Sequence, residues 1–522
     1  MRKLSVKRHL ACLLIGSQLM GCSAGARSIA VDAGDWAPPV PPAPQPLAMR
    51  PNFYAPSAPH CARPVRTREL PGAAGQAGAN EGEGWAPPSD ARTSGLPAAR
   101  PEGVLGRLLE RASGRSREEA VAHADAAPAS PAVEGATPAS AMAAKSGAPA
   151  LGDHKRMAAQ SGFAAPAPME QRQQQAVVTA GVVDDNANFG EYLAFRNRTQ
   201  VVHRPVDVSE RYLLQVKDGS GRGVPDAEVR VQSPSGSALW ARTDAGGQVW
   251  VSPNAFDASR ASTYQVSVRK PGRWGSLQAT GFLQRGQKSA VEVRLDGAPQ
   301  ARAQLDLVFL IDATGSMGDE IDKLKASVRT IANEVAQLPA RPDLCFGLVA
   351  YRDRGDAFLI RSHDFTNDLG AFQGALNQLQ AGGGGDYPEA MNEALHDTVH
   401  SLSWRGNGTT RMVFLIADAP PHLDYGGPQY DQDMAAALGK GIKIFGVGAS
   451  GLDKQGEYVQ RQMAQYSGGK FVFLTYAQAH NPASGAGRET VHDVQNYGVD
   501  TLDRLIVRLV REDLAKLGRS GG

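Results

Sequence analysis

Residues 305–318, LDLVFLIDATGSMG, constrain this chain more than any other stretch, because an apolar run ends directly in a tight cluster of oxygen-bearing side chains. Leu305, Leu307, Val308, Phe309, Leu310 and Ile311 read as a strand covered on both faces, as in the middle of a parallel sheet. Asp312 ends the run. Asp312, Thr314 and Ser316 then alternate through a loop, so one carboxylate and two hydroxyls can converge on a point while Gly315 and Gly318 let the backbone turn. Hard oxygen donors of this kind suit Mg²⁺, Mn²⁺ or Ca²⁺. Ser and Thr after Asp also make ordinary turn and capping hydrogen bonds, so the spacing alone leaves both readings open.

From residue 304 onward strands and helices alternate, which predicts a doubly wound, Rossmann-like α/β domain over 304–517. Its first helix is expected over 319–338, with Ile321, Leu324, Val328, Ile331, Val335 and Leu338 at spacings of three and four and Pro339 as the stop. Strands are expected at 344–351, 358–362, 412–417, 442–447 and 471–474, and helices at 369–380, 388–402 and 501–517. In such a sheet ligands bind outside the carboxyl ends of the strands. Two more acidic groups fall there: Asp418, after the strand 412–417, and the pair Asp386 and Glu389 in GGGGDYPEA, behind four glycines that permit close backbone approach. Asp386 and Pro388 also fit a plain helix start, with Glu389 favourable in its first turn, and Asp418 before Ala-Pro-Pro fits a turn.

Asp312-x-Thr314-Gly315-Ser316 after a buried strand resembles the metal-ion-dependent adhesion site of von Willebrand factor type A domains, whose usual pattern has Ser where this chain has Thr314. Either hydroxyl can ligate. The glycine-rich loop departs from the Thr-containing second loop of many such domains and is similar to the Asp-x-Pro-Glu loop of the integrin β-subunit version, in which the Glu reaches the metal. The resemblance implies a site for Mg²⁺ (or Mn²⁺ or Ca²⁺) made by Asp312, Thr314, Ser316, Glu389 and Asp418, with Asp386 supporting Glu389 or an adjacent ion. YRDRGD at 351–356 contains an integrin-binding tripeptide, Arg354-Gly355-Asp356, but resembles the Tyr-Arg-Asp-x-x-Asp that follows the second strand in related bacterial type A domains. His363 and His422 are expected in exposed loops, since a hard cation prefers oxygen.

The chain has 522 residues, but 58 Gly, 34 Pro and only 6% aromatics indicate that much of it is not packed. Arg2, Lys3, Lys7 and Arg8 precede a short apolar run at 10–15, the layout of a secretory signal. Leu19-Met20-Gly21-Cys22 resembles a bacterial lipoprotein signal, which implies a signal peptide over 1–21, acylation of Cys22 and, with Ser23 rather than Asp following, an outer-membrane lipoprotein. An ordinary signal peptide with an incidental Cys is the alternative. Residues 22–175, rich in Ala, Pro and Gly, read as a disordered tether. Residues 176–204 resemble a short segment upstream of the type A domain in some bacterial surface proteins and read as a docking helix or strand, with Asp184 and Asp185 solvated. Residues 205–298 alternate apolar and polar positions between Gly-containing turns, the pattern of a small all-β unit. GRGVPDAEVRV followed by TDAGGQVWV resembles the carboxypeptidase-regulatory-like or related immunoglobulin-like β-sandwich repeat, which implies a spacer or docking module. Cys345 reads as a small core residue and Cys61 as part of the tether; a bridge between them has no support in the sequence.

Lys plus Arg at 55 against Asp plus Glu at 53 gives no electrostatic case for nucleic-acid binding. The expected function is a non-enzymatic, metal-dependent adhesion-type module that binds a protein partner through a carboxylate donated to the metal, held to the membrane by a lipid anchor at the periplasmic or outer face of the envelope. A metal-dependent hydrolase is the rival reading, but no Gly-x-Ser-x-Gly, His-Glu-x-x-His or phosphate loop stands in the chain. A metal-independent envelope scaffold is the third.

Overall fold

The computed structural model describes residues 51, 53–61, 66–72, 177–272, 275–298, 302–385, 387–406 and 408–517. The expected signal, Cys22, residues 73–176 and Asp386 lie outside them. In chain order come β1 (Thr67–Leu70), β2 (Thr179–Val183) and α1 (Phe189–Arg198). Then follow β3 (Tyr212–Lys217), β4 (Glu228–Gln232), β5 (Ala238–Arg242), β6 (Gln248–Val251), β7 (Thr263–Gly272), β8 (Gly275–Gln284) and β9 (Val291–Arg294). The alternating part contains β10 (Gln304–Asp312), α2 (Gly318–Ala336), β11 (Asp343–Tyr351), β12 (Ile360–Thr366), α3 (Leu369–Gln378), α4 (Met391–His400), β13 (Thr410–Ala417) and α5 (Tyr430–Lys440). It ends with β14 (Ile442–Gly448), α6 (Lys454–Ser467), β15 (Phe471–Gln478), β16 (Asn481–Ala486), β17 (Val499–Thr501) and α7 (Leu502–Leu514).

β10 lies inside a mixed sheet of order β1-β12-β11-β10-β13-β14-β15-β2-β17. It runs parallel to β11 and β13, and β13, β14 and β15 continue in parallel, whereas β12 is antiparallel to β11. Alternate side chains of β10 serve two cores. Leu305, Leu307, Phe309 and Ile311 pack with Ile321, Leu324 and Val328 of α2 and with Leu502, Leu505 and Ile506 of α7. Val308 and Leu310 pack on the other face with Leu395 and Val399 of α4 and Met434 of α5. Burial of each such side chain contributes about 1.5–3 kcal/mol, which explains why the run tolerates so little polarity. Its exception is Asp306, fully buried, whose Oδ1 accepts from Arg405 Nε at 2.6 Å.

Two helices escaped the sequence reading. α5 is rich in Ala, and α6, KQGEYVQRQMAQYS, sets only Val459, Met463 and Tyr466 in a thin apolar stripe among polar residues. Yet Glu457, Gln460, Arg461, Gln462 and Gln465 of α6 are buried. The cover comes from the segment ahead of β3: Asn186 Nδ2 donates to the Gln465 carbonyl, Gln462 Nε2 donates to the Arg204 carbonyl, and Phe195 of α1 stacks under the Arg461 guanidinium at 3.7 Å. Asp185, expected to be solvated, is instead 4% exposed, its two oxygens accepting from Arg461 Nη2 and Nε at 2.7 and 3.0 Å. Burial raises its carboxyl above the ordinary value, against the pull of Arg461.

The stretch that composition assigned to a tether also contributes structure. β1 pairs antiparallel with β12 at the sheet edge, and Cys61 forms a disulfide with Cys345 of β11, a pairing sequence reading had left unsupported. β2 pairs antiparallel with β15, so strands preceding the all-β unit complete the sheet that follows it. Closing a loop with a sequence separation of 284 residues stabilises a fold by about 2–5 kcal/mol. Cys61→Ser, or reduction of the parent, is expected to lower Tm and expose residues 66–72 to protease; identical melting and digestion with and without reductant would show that β1 holds by pairing alone.

Strands β3 to β9 form two small sheets, β6-β3-β9 and β5-β4-β7-β8, around one core that includes Leu214, Val229, Val249, Val266 and Val293. Leu438 of α5 joins that core. Asp226 fastens the unit to the amino-terminal ends of the parallel strands: its Oδ1 accepts from Arg411 Nη1 of β13 at 3.0 Å, and its Oδ2 from the Gly408 amide at 2.8 Å. Among the described residues, the opposite, carboxyl ends of the sheet stay open.

Candidate metal centre

Asp312 is the last residue of β10 and is fully buried. Its Oδ1 accepts from the Thr314 amide at 3.0 Å and from Thr314 Oγ1 at 2.7 Å. Thr314 Oγ1 in turn lies 3.3 Å from Ser316 Oγ. Among the described residues, Asp312 Oδ2 and, at the end of β13, Asp418 Oδ1 are buried without a hydrogen bond of ordinary geometry, the Tyr351 hydroxyl facing the Asp312 carboxyl. Burial first, and the charge of Asp418 second, push the Asp312 carboxyl up to about 7. Burial also raises Asp418, partly opposed by the Ser316 hydroxyl. Tyr351, buried at the end of β11, is raised by burial and by facing Asp312, Asp418 and Glu389 together.

Three loops are laced together by backbone bonds. The Gly382 amide donates to the Ala313 carbonyl and the Gly315 amide to the Gly383 carbonyl, both at 3.0 Å. The Glu389 amide donates to the Pro420 carbonyl at 3.1 Å, tying the glycine loop to the Asp418 loop. Gly384 has φ of +66°, and a Cβ there would stand 2.9 Å from Glu389 Oε1 and 3.0 Å from Thr314 Cβ. Glycine is therefore what lets the Glu389 and Thr314 side chains approach one spot. The result is a cleft of about 460 Å³ whose lining includes Thr314, Ser316, Glu389, Asp418, Tyr387 and Ser450.

The structure thus brings Asp312, Thr314, Ser316, Glu389 and Asp418 to one end of the sheet, while Asp386 falls outside the described residues. Two buried carboxylates without a counter-charge, flanked by two hydroxyls, fit a hard divalent cation. Sequence reasoning missed Ser450, which arrives from after β14 with no motif to mark it, and gave no role to Tyr387, the variable position of the Asp-x-Pro-Glu loop before α4. YRDRGD follows β11, and its acidic residues have structural partners. Asp356 Oδ2 accepts from the Gly384 amide at 2.9 Å and the Asp353 amide at 3.1 Å, so it holds the glycine loop in place. Arg354 donates to Glu393 at 2.9 Å and lies 3.6 Å over the Tyr425 ring. His422 is buried rather than exposed, with Nε2 at 3.3 Å from Asp353 Oδ2.

A strand-end carboxylate, alternating hydroxyls and two further acidic loops on an α/β sheet define a von Willebrand factor A domain, and that domain is found at residues 306–432. Among curated proteins, the alpha-protein kinase vwkA of Dictyostelium discoideum is 32% identical over 138 residues, 26% of this chain and 22% of that protein. The von Willebrand factor A domain-containing protein 7 of Mus musculus is 33% identical over 115 residues, 22% of this chain and 12% of its own length. The chain thus spans less than a quarter of the length of these relatives. Among solved structures, the pilus adhesin SpaC from Lactobacillus rhamnosus GG superposes with a TM-score of 0.25 at 13% identity, over 40% of this chain and 29% of that one.

Proposed function

We propose that this protein is a non-enzymatic, divalent-metal-dependent protein-binding module of the adhesion type, carried on a lipoprotein of the bacterial cell envelope. The observation that supports it is the pair of buried carboxylate oxygens, Asp312 Oδ2 and Asp418 Oδ1, that make no hydrogen bond of ordinary geometry among the described residues, beside a cleft lined by Thr314, Ser316, Glu389 and Asp418. Asp312, Thr314, Ser316, Glu389 and Asp418 hold Mg²⁺ (or Mn²⁺ or Ca²⁺), with Asp386 in support. When bound, the ion supplies an open coordination position for a carboxylate from the protein partner. Around it, Tyr387, 50% exposed at the rim, offers apolar surface to the same partner. Ser316 and Thr314 keep their hydroxyls directed at the carboxylates, and Asp356 keeps the glycine loop from collapsing onto them. The all-β unit at the far end of the sheet serves as a sandwich-type spacer, and acylated Cys22 places the chain in the outer membrane.

Calorimetry on the full chain without its signal, titrated with Mg²⁺, Mn²⁺ and Ca²⁺, tests this reading, together with capture of envelope proteins with and without chelator. Saturable binding of one of these ions and chelator-sensitive capture are expected. A folded protein that takes up none of them at millimolar concentration refutes the metal-bridged mechanism. The truncation must keep residues 53–72 and 177–204, because they form part of the sheet and of the cover on α6.

A further inference from the structure

The last turns of α4 and the first turn of α5 bring two histidines and an aspartate together, remote along α4 from Glu389. His396 and His400 stand four residues apart, so they share a helix face, and their ring centroids are 4.4 Å apart. Asp433 of α5 reaches both: its Oδ1 lies 3.0 Å from His396 Nδ1 and 2.9 Å from His400 Nε2. Its Oδ2 is buried with no hydrogen-bond partner among the described residues, and the residue is 2% exposed. One ligand atom from each of the three residues falls within 4.8 Å of the others. Lys440, whose charge also reaches Asp433, is occupied by the Val399 carbonyl at 2.6 Å.

We propose that His396, His400 and Asp433 form a second metal site, for Zn²⁺ or an ion of similar donor preference, that clamps α4 to α5. Two imidazole nitrogens and one carboxylate oxygen make the borderline donor set that such ions take at about 2.0–2.2 Å, whereas the cleft before α4 offers oxygen alone and suits hard ions. Ligands around a tetrahedral ion at that bond length stand roughly 3.4 Å apart. The Asp433 spacings of 3.0 and 2.9 Å open slightly and the spacing between the two histidine ligand atoms, within 4.8 Å, adjusts to the same value through side-chain torsions. The surroundings prepare the site. Leu395 and Val399 of α4 and Met434 and Ala437 of α5 are buried in one core, which fixes the two backbones, while the imidazole side chains remain 29% and 26% exposed and so reachable from solvent. Two imidazoles competing for one oxygen while the other is left alone is an incomplete arrangement for a buried carboxylate; an ion between the three groups completes it. Three protein ligands leave one position for water.

The test is a Zn²⁺ titration of the full chain by calorimetry in excess Mg²⁺, with Co²⁺ absorption as a second readout, on the parent, His396→Ala, His400→Ala and Asp312→Ala. Both histidines are partly exposed, so their removal is expected to leave the fold intact, checked by circular dichroism; His400→Gln stands in if the alanine variant fails to fold. One zinc equivalent is expected in the parent and in Asp312→Ala, weakened at least tenfold in each histidine variant, with loss of the intense visible Co²⁺ bands of a nitrogen-ligated tetrahedral site. The proposal falls if the folded parent binds no zinc, if both histidine variants bind it like the parent, or if Asp312→Ala alone removes it.

Discussion

Asp312→Asn is expected to raise the stability of the metal-free protein at neutral pH and to abolish the stabilisation that Mg²⁺ gives the parent. Asparagine keeps an oxygen to accept from the Thr314 amide and hydroxyl, now at 3.0 and 2.7 Å, and removes the charge that burial and Asp418 oppose. The sign follows from the titration. The Asp312 carboxyl is raised from 3.8 to about 7 in the folded protein. The folded state therefore holds a proton that the unfolded chain gives up, and this contribution to stability is complete below about pH 4 and lost as the pH rises through about 7. At ~1.4 kcal/mol per unit the penalty above pH 7 is on the order of 4 kcal/mol. The metal-free parent is expected to lose stability between pH 4 and 7.5 relative to the variant. Added Mg²⁺ at a hundredfold excess over Kd returns about 2.7 kcal/mol to the parent alone. Denaturant titrations at several pH values, with chelator or with Mg²⁺, decide it: a variant with the parent's pH slope, or one still stabilised by Mg²⁺, would remove Asp312 from the site.

Asp226→Ala is expected to cost about 3–5 kcal/mol, the range for breaking a buried ion pair from one side. Asp226 is 4% exposed and receives Arg411 Nη1 at 3.0 Å and Arg242 Nη1 at 3.1 Å. Arg411 is 1% exposed, so its charge would be left in the interior with no carboxylate. Burial alone would raise the Asp226 carboxyl; Arg411 and Arg242 overcome it and hold it well below the ordinary range. Its contribution is thus present above about pH 4 and is lost as the pH falls through the depressed value. Because Asp226 belongs to the all-β unit and Arg411 to β13, the variant is expected to lose cooperativity, with hydrogen exchange in β3 to β9 rising before that in β10 and β13. A loss below about 1 kcal/mol with exchange unchanged would mean that the other links, Leu438 in the β-unit core and Asp244 with Lys443 and Lys516, hold the two parts together without Asp226.

How much of this was legible beforehand depends on the range of the forces involved. The cluster after β10 could be read because its carboxylate and hydroxyls are neighbours in sequence, and because an apolar run interrupted only by Asp306 marks a strand covered on both faces. Glu389 and Asp418 could be read as helix-start and strand-end acids, respectively. α6 gave a weaker signal: only Val459, Met463 and Tyr466 mark its apolar face, and its Gln and Arg side chains are buried on other faces by hydrogen bonds and stacking to residues 186–204. The role of Asp356 could not be read, because its acceptance of the Gly384 amide across 28 residues has no local signature.

The sequence by itself determined the α/β alternation, the central strand and the oxygen donors at its end, because these follow from hydrophobic periodicity and from spacing within a single loop. Tertiary structure alone decided that β1 and β2 join a sheet encoded mostly after residue 304, that Cys61 meets Cys345, that Asp185 is buried against Arg461, and that His396, His400 and Asp433 meet. Each of these rests on partners far apart in the chain, whose pairing becomes favourable only once the central sheet has formed and brought them within a few ångströms.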